Sequence, residues 1–214
     1  MGGTRGRFIT VEGGEGAGKS TQIRLLAEHL RGLGRTVLTT REPGGSPGAE
    51  EIRALLVTGA TGRWRPVTEA LLHYASRHEH LAVTVWPALA AGTWVLCDRF
   101  ADSTRAYQGY GLGVPLAVLD ALHAQAVGDF TPDLTLILDI DPAAGLSRTS
   151  DRPGAEDRYE RMGADFHRRL RDGFLDIARR DPERCAVVDA ARPVDAVQAD
   201  IRRIVAERLG REAA

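Results

Sequence analysis

Apolar positions along this chain fall into five short runs, separated by stretches in which they recur every three or four residues. Phe8-Ile9-Thr10-Val11, Thr36-Val37-Leu38-Thr39-Thr40, Trp94-Val95-Leu96-Cys97, Leu134-Thr135-Leu136-Ile137-Leu138 and Ala186-Val187-Val188 have the length and β-branched content of strands. Ile23, Leu25, Leu26 and Leu30 mark a first helix that Gly34 stops, and a short helix is expected around Ala49–Leu56. A long helix follows from Pro66 to Ala91, carrying Leu71, Ala75, Val85 and Leu89, with Pro87 placed to bend it near its end. Leu116–Val127 is the next helix. Phe166, Leu170, Phe174 and Ile177 share one face of another, and Val194, Val197, Ile201 and Ile204 mark the closing one. Pro43-Gly44-Gly45 and the glycines within Gln108–Gly113 read as loops. From Thr149 to Asp157 the chain turns polar around Pro153-Gly154, which reads as a flexible lid.

Strands alternating with helices imply an α/β fold, a five-stranded parallel sheet flanked by helices on both faces. At 214 residues the chain suits one domain, residues 1–214, with the lid at about 149–157. Ligands in such folds gather at the carboxyl ends of the strands, so those ends are where chemistry is sought.

One such end is followed by Gly13-Gly14-Glu15-Gly16-Ala17-Gly18-Lys19-Ser20 and then by the first helix. Strand, glycine turn and helix in that order form a phosphate-binding loop, whose backbone N–H groups and helix N-terminus face an anion. Lys19 would reach the β- and γ-phosphates of a nucleotide, and the Ser20 hydroxyl would hold Mg²⁺. Lys19 is the only lysine among 28 basic side chains. The strand ending in Asp98-Arg99 places a carboxylate near that metal. Arg41 and Arg99, both at strand ends, either clamp a second phosphate group or form surface salt bridges. Arg148, Arg152 and Arg158 flank the Pro-Gly turn, where a closing lid would neutralise transition-state charge and exclude water. Arg161, Arg168, Arg169 and Arg171 read as a solvated face.

Charge and composition exclude some classes. A formal charge of −1 and a pI near 6.6 argue against a nucleic-acid-coating protein. Cys97 and Cys185 lie in apolar runs and read as buried thiols. The first residues carry no apolar signal region, and Leu81–Cys97, broken by Pro87 and Gly92, is too short to span a bilayer. A cytoplasmic protein with no membrane partner is expected. A GTPase would need an Asn-Lys-x-Asp guanine motif, and the chain contains no asparagine.

Glu12 through Thr21, Thr40-Arg41-Glu42-Pro43-Gly44-Gly45, Asp98-Arg99, Ser103 through Gly109, and Pro132 through Asp139 together resemble bacterial thymidylate kinases, in the right order over nearly the whole chain. The resemblance implies a P-loop fold of the nucleoside monophosphate kinase type. It also implies transfer of the ATP γ-phosphoryl to dTMP, a Mg²⁺ cofactor and a homodimer. Gly13 through Thr21 would bind ATP. Arg41 and Arg99 would bind the dTMP phosphate, Glu15 the side of the sugar 3′-hydroxyl, and Arg77 and Gln108 the thymine, with Ser103 and Tyr107 beside them. Because Gly16 stands in the loop, the catalytic arginines are expected in the lid, at Arg148, Arg152 and Arg158. Two positions depart from the family. His73 stands where a Phe usually stacks on the base, a smaller ring that titrates near neutral pH and admits a modified pyrimidine. Leu112 stands where an Arg is frequent, with Arg105 as a candidate replacement. His73, His78 and His80 could suggest a metal site, but His78 and His80 fall on different helix faces, which speaks against one. An inactive nucleotide-binding relative is the remaining alternative, opposed by Lys19, Ser20, Asp98, Arg41 and Arg99.

Overall fold

The computed structural model describes residues 5–148 and 158–210. The lid expected at 149–157 lies outside them, as does Arg152. Five strands form one sheet: β1 (Phe8–Glu12), β2 (Val37–Arg41), β3 (Trp94–Asp98), β4 (Leu134–Asp139) and β5 (Cys185–Asp189). Their order across the sheet is β2-β3-β1-β4-β5, and every pairing is parallel.

Alternation along β1 divides the core. Ile9 and Val11 face a layer built by α1 (Lys19–Gly32) and the closing helix, with Leu26, Leu30, Val197, Ile201 and Val205 buried between. Phe8 faces the other side, against Tyr74, Leu81, Val85, Phe100 and Leu119. Thr10 points the same way, where its hydroxyl pairs with that of Thr135 across β1 and β4 at 2.8 Å. That mutual bond satisfies two hydroxyls buried in the sheet centre. Glu12 ends this face, fully buried at the carboxyl edge.

The helices are α2 (Pro47–Val57), α3 (Pro66–His80), α4 (Trp86–Ala90), α5 (Ala101–Thr104), α6 (Leu116–Ala126), α7 (Pro142–Ser147), α8 (Ala164–Arg180) and α9 (Val194–Leu209). The expected long helix over Pro66–Ala91 is not a uniform α-helix. A π-helical stretch, Leu81–Val85, joins α3 to α4 just before Pro87. Proline offers no N–H and its ring crowds the carbonyl four residues back, and a locally widened helix accommodates both. The loop expected at Gln108–Gly113 is corrected as well, since Arg105–Gly111 is a second π-helical stretch. Its glycines serve close packing. A Cβ at Gly109 would meet Leu116 at 2.8 Å, and one at Gly111 would meet Phe166 at 2.5 Å.

α7 has no counterpart among the expected elements. Asp141 caps it, accepting from the N–H groups of Ala143 and Ala144. Through Gly145 it meets the glycine loop backbone to backbone. A Cβ at Gly16 would lie 1.9 Å from the Gly145 carbonyl oxygen, and one at Gly145 would lie 2.3 Å from that of Glu15. Neither glycine leaves space for a methyl group, so this contact sets the height of the loop above the sheet. Gly145→Ala should displace the loop at a cost of about 1–3 kcal/mol. Affinity for ATP, the ligand the resemblance implies for this loop, measured by calorimetric titration, should fall roughly tenfold or more while the sheet remains folded by circular dichroism. Unaltered affinity would show that the loop is held elsewhere.

Candidate active site

The loop between β1 and α1 takes the shape its glycines permit. Gly13, Gly16 and Gly18 have positive φ, and a Cβ at Gly13 would sit 2.4 Å from the Leu138 carbonyl oxygen. Lys19 arches back over the loop and donates to the carbonyls of Gly13 (3.2 Å) and Gly14 (2.9 Å). Burial and the neighbouring Arg99 charge push its pKa down, against the pull of Glu15 and Asp98. Ser20 donates to the Asp98 carboxylate at 3.0 Å, so the loop and the end of β3 bring their two oxygens together as expected. Gly16 through Thr21, with Glu15, line a cavity of about 680 Å³ that also includes Arg41, Asp98, Arg99, Arg148 and Ala190–Val194.

A smaller cavity of about 120 Å³ adjoins it, lined by His73, Arg77, Phe100, Ser103, Tyr107, Gln108 and Tyr159 among others. Glu15, Glu42, Arg53, Arg99 and Glu160 line both, making one cleft with two lobes. Arg99 occupies the boundary. It is the one non-glycine residue with positive φ among the described residues (71°), a conformation that swings its side chain back over the loop. Its guanidinium donates to Gly13 O (2.9 Å), Ser103 Oγ (3.2 Å) and Glu15 (2.9 Å), and it stacks on the Tyr107 ring at 4.9 Å. Burial alone would raise the Glu15 pKa. Arg99, Lys19 and the Tyr107 hydroxyl at 2.5 Å reverse that and hold it at about 2.

Beneath this boundary, Glu12 accepts from the Phe100 N–H (2.7 Å) and the Ser103 hydroxyl (2.5 Å), tying the turn that carries Arg99 to β1. Burial, followed by the nearby Asp102 charge, pushes its pKa up to about 8. The expectations assigned Glu12 no role, although strand alternation from Phe8 and Thr10 places it on the buried face.

In the small lobe, Arg77 is held by three groups. Its Nε donates to Glu42 (2.7 Å), and its Nη2 donates to Phe100 O and Thr104 Oγ (3.0 Å each). Glu42 is buried between Arg77 and His80, whose Nδ1 lies at 3.0 Å. Gln108 donates through Nε2 to Glu69 at 2.8 Å. Arg77 Nη1 and Gln108 Oε1 have no partner among the described residues. His73 lines the same lobe, with Nε2 3.0 Å from the Tyr159 hydroxyl. Its expected titration near neutrality is corrected. Burial, then the charges of Arg77 and Arg158, lower its pKa to about 3, so the ring stays neutral at physiological pH.

Other expected residues fall elsewhere. Arg41 lines the large lobe but is half-exposed and paired with Glu50 at 3.1 Å. Arg148 lines it too and donates to Ala190 O. Arg158 is corrected from a lid cation facing phosphate. It is buried, donating to Leu56 O (3.0 Å), Ala60 O (3.1 Å) and Thr61 O (2.9 Å) and paired with Glu69. The buried Glu69 charge and the carbonyls of the α2–α3 turn claim its donors. Arg105 pairs with Asp120 on α6 and lines neither lobe. Arg171 is more than a solvated charge, since it forms a two-bonded pair with Asp139. His78 contacts Ala126 O and His80 contacts Thr40, so with His73 they diverge. Glu69 and Tyr159 were missed, though Glu69, His73 and Arg77 recur every four residues along one stripe of α3.

Five parallel strands with a phosphate loop after β1 and a two-lobed cleft at their carboxyl ends define a P-loop fold of the nucleoside monophosphate kinase type. A family profile described as Thymidylate kinase matches residues 11–201. The chain is 57% identical over 207 residues to the thymidylate kinase of Caulobacter vibrioides, covering 97% of this chain and 99% of that one. It is 53% identical to that of Ruegeria pomeroyi, covering 99% of each. The crystal structure of thymidylate kinase from Ehrlichia chaffeensis aligns with a TM-score of 0.76 at 36% identity, over 94% of this chain and 98% of that one. The chain belongs to the thymidylate kinase family.

Glu12 makes the site a source of pH-dependent stability. Its folded pKa near 8 lies above its ordinary value of 4.5, so its protonation favours the folded state fully below about pH 4.5, and that contribution is lost as pH rises through 8. Urea denaturation between these limits should show a steeper loss of stability with pH in the wild type than in Glu12→Gln. Parallel profiles would mean that Glu12 is already ionised across the interval.

Proposed function

We propose that this chain transfers the γ-phosphoryl group of ATP to dTMP, giving dTDP and ADP, by direct in-line displacement without a phosphoenzyme. The observation that supports this most directly is the meeting of the two lobes at Glu15 and Arg99. ATP in the large lobe and a nucleoside monophosphate in the small one would present their phosphates to each other at that boundary. Phosphoryl transfer rests mainly on such positioning and on electrostatics.

In this reading the loop N–H groups and Lys19 hold the β- and γ-phosphates, Lys19 exchanging carbonyl partners for phosphate oxygens. Arg99 and Arg41 take the acceptor phosphate, Glu15, Ser103 and Tyr107 surround its sugar, and Arg77, Gln108 and His73 surround its base. Arg148 and Arg152 are the remaining catalytic cations. Ser20 and Asp98 present a hydroxyl and a carboxylate within 3.0 Å of each other, a donor set that fits Mg²⁺. Among the described residues no group of three or more His, Cys, Asp or Glu could hold a metal, consistent with an ion carried largely by nucleotide phosphates and water. When bound, Mg²⁺ would neutralise charge on those phosphates.

A modified pyrimidine is the second reading that His73 admits. The engagement of its Nε2 with Tyr159 favours dTMP, because the ring's polar atom is already partnered. A single-domain homodimer is also proposed. α3 and α6 pack together and leave Val67, Leu71, Val83 and Val118 exposed on or beside them. No helix of the described residues is long and apolar enough to cross a membrane, and a cytoplasmic site fits this proposal.

A coupled ADP-release assay with dTMP, dUMP and dCMP tests the activity. dTMP should be the preferred acceptor, and Lys19→Ala should abolish turnover while folding is retained. Near-normal turnover in that variant would refute the role given to the loop. The His73 ring is expected to stay neutral in the assay. The dTMP KM of wild type and His73→Phe should therefore follow parallel profiles between roughly pH 5.5 and 8. An inflection confined to the wild type would place the imidazole pKa back in that range.

A further inference from the structure

An amide has a donating and an accepting end, and a half-turn about its last bond exchanges them. Gln108 therefore offers the small lobe either polarity unless something fixes it. Its Nε2 lies 2.8 Å from Glu69 Oε1 and 3.4 Å from the Tyr159 hydroxyl, while its Oε1 has no partner. Glu69 is fully buried, and its other oxygen is claimed by Arg158. A carboxylate so paired offers only acceptors, so it captures the donating end of the amide. The Tyr159 hydroxyl donates to the same Oε1 at 2.9 Å and helps hold it. Arg77 needs no such control, because a guanidinium only donates. Its Nη1 is the one donor not committed to Glu42, Phe100 or Thr104.

We propose that Glu69 is a positioning residue for base selection, holding the Gln108 carbonyl toward the small lobe so that the lobe accepts pyrimidines bearing N3–H and rejects cytosine. The inference rests on the assignment of that lobe to the acceptor base. One acceptor from Gln108 and one donor from Arg77 match the N3–H and C4 carbonyl of thymine or uracil. Cytosine reverses both groups, with an accepting N3 and a donating 4-amino group. Arg77 cannot reverse its polarity. Gln108 can, and Glu69 prevents it.

Glu69→Gln tests this with little change of shape. Arg158 would draw the new carbonyl oxygen to itself and turn the new NH₂ toward Gln108, which would then rotate and present its own NH₂ to the lobe. kcat/KM for dTMP should fall by about 10- to 100-fold, while that for dCMP should change by less than about threefold. KM for ATP should hold. Glu69→Asp keeps two accepting oxygens and should preserve the dTMP to dCMP ratio within about threefold, whatever it does to turnover. If Glu69→Gln does not fold, Glu69→Gln with Arg158→Met removes the buried charge together with its partner; with no cation to orient it the new amide holds Gln108 in neither polarity, and the ratio should fall by a smaller factor. A ratio unchanged in the variants that fold, with both substrates losing equally, would reduce Glu69 to a structural role and overturn the proposal. A wild-type enzyme that used dCMP as readily as dTMP would instead overturn the assignment of the lobe, an outcome visible before any variant is made.

Discussion

A guanidinium withdrawn from water must be surrounded by acceptors, and the cleft is built around meeting that demand at Arg99. Its partners come from three separate pieces of chain: the Gly13 carbonyl and Glu15 of the loop, Ser103 of α5, and the Tyr107 ring of the following π-helical stretch. Satisfying one charge therefore locks the loop, the end of β3 and the wall of the small lobe into one arrangement. Glu12 completes the lock from below by holding Phe100 and Ser103. The left-handed backbone at Arg99 costs on the order of 1 kcal/mol or more, which persists only because the surrounding bonds over-determine it. Groups already held in place need not be ordered when the phosphates arrive, and this preorganisation is what phosphoryl transfer requires of a protein.

The small lobe uses the same device twice, with Glu42 between Arg77 and His80 and with Glu69 against Arg158. Buried pairs of this kind add little net stability, yet removing one partner costs about 3–5 kcal/mol because it strands a charge. Their contribution here is directional. Glu42 fixes the plane of Arg77, and Glu69 fixes the donating end of Gln108. Arg158 and Tyr159 both reach Glu69, so two consecutive residues of the small-lobe wall share one buried carboxylate.

The parts of this arrangement legible in the sequence are those set by local chain chemistry. The glycine loop, the five strands, and the pairing of Ser20 with Asp98 follow from periodicity and from where strands end. What escaped depends on tertiary neighbours. Gly109 and Gly111 resemble loop glycines until Leu116 and Phe166 are seen pressed against them within a helical turn. α7 is only six residues long, too short for a periodic signal, and its importance lies in Gly145 meeting the loop. Arg158 lies in a charged stretch like any solvated run, and only the carbonyls of the α2–α3 turn and the buried Glu69 explain its burial. The His73 ring is titratable by type, but burial in the lobe, followed by the charges of the arginines around it, sets its protonation state.

The unpartnered atoms of the small lobe complete the physical account. A buried donor or acceptor left unpaired costs about 1–3 kcal/mol, and Arg77 Nη1 and Gln108 Oε1, which have no partner among the described residues, belong to side chains lining one cavity of about 120 Å³. Core packing alone would favour apolar groups at both positions. A base of matching polarity recovers that cost, because its own polar edge would otherwise remain with water. A base of opposite polarity leaves four groups unpaired instead of none. Discrimination in a lobe of this kind therefore comes mainly from the penalty on the wrong base. Fixed groups that pair with one polar edge and oppose the other are the physical source of that selectivity.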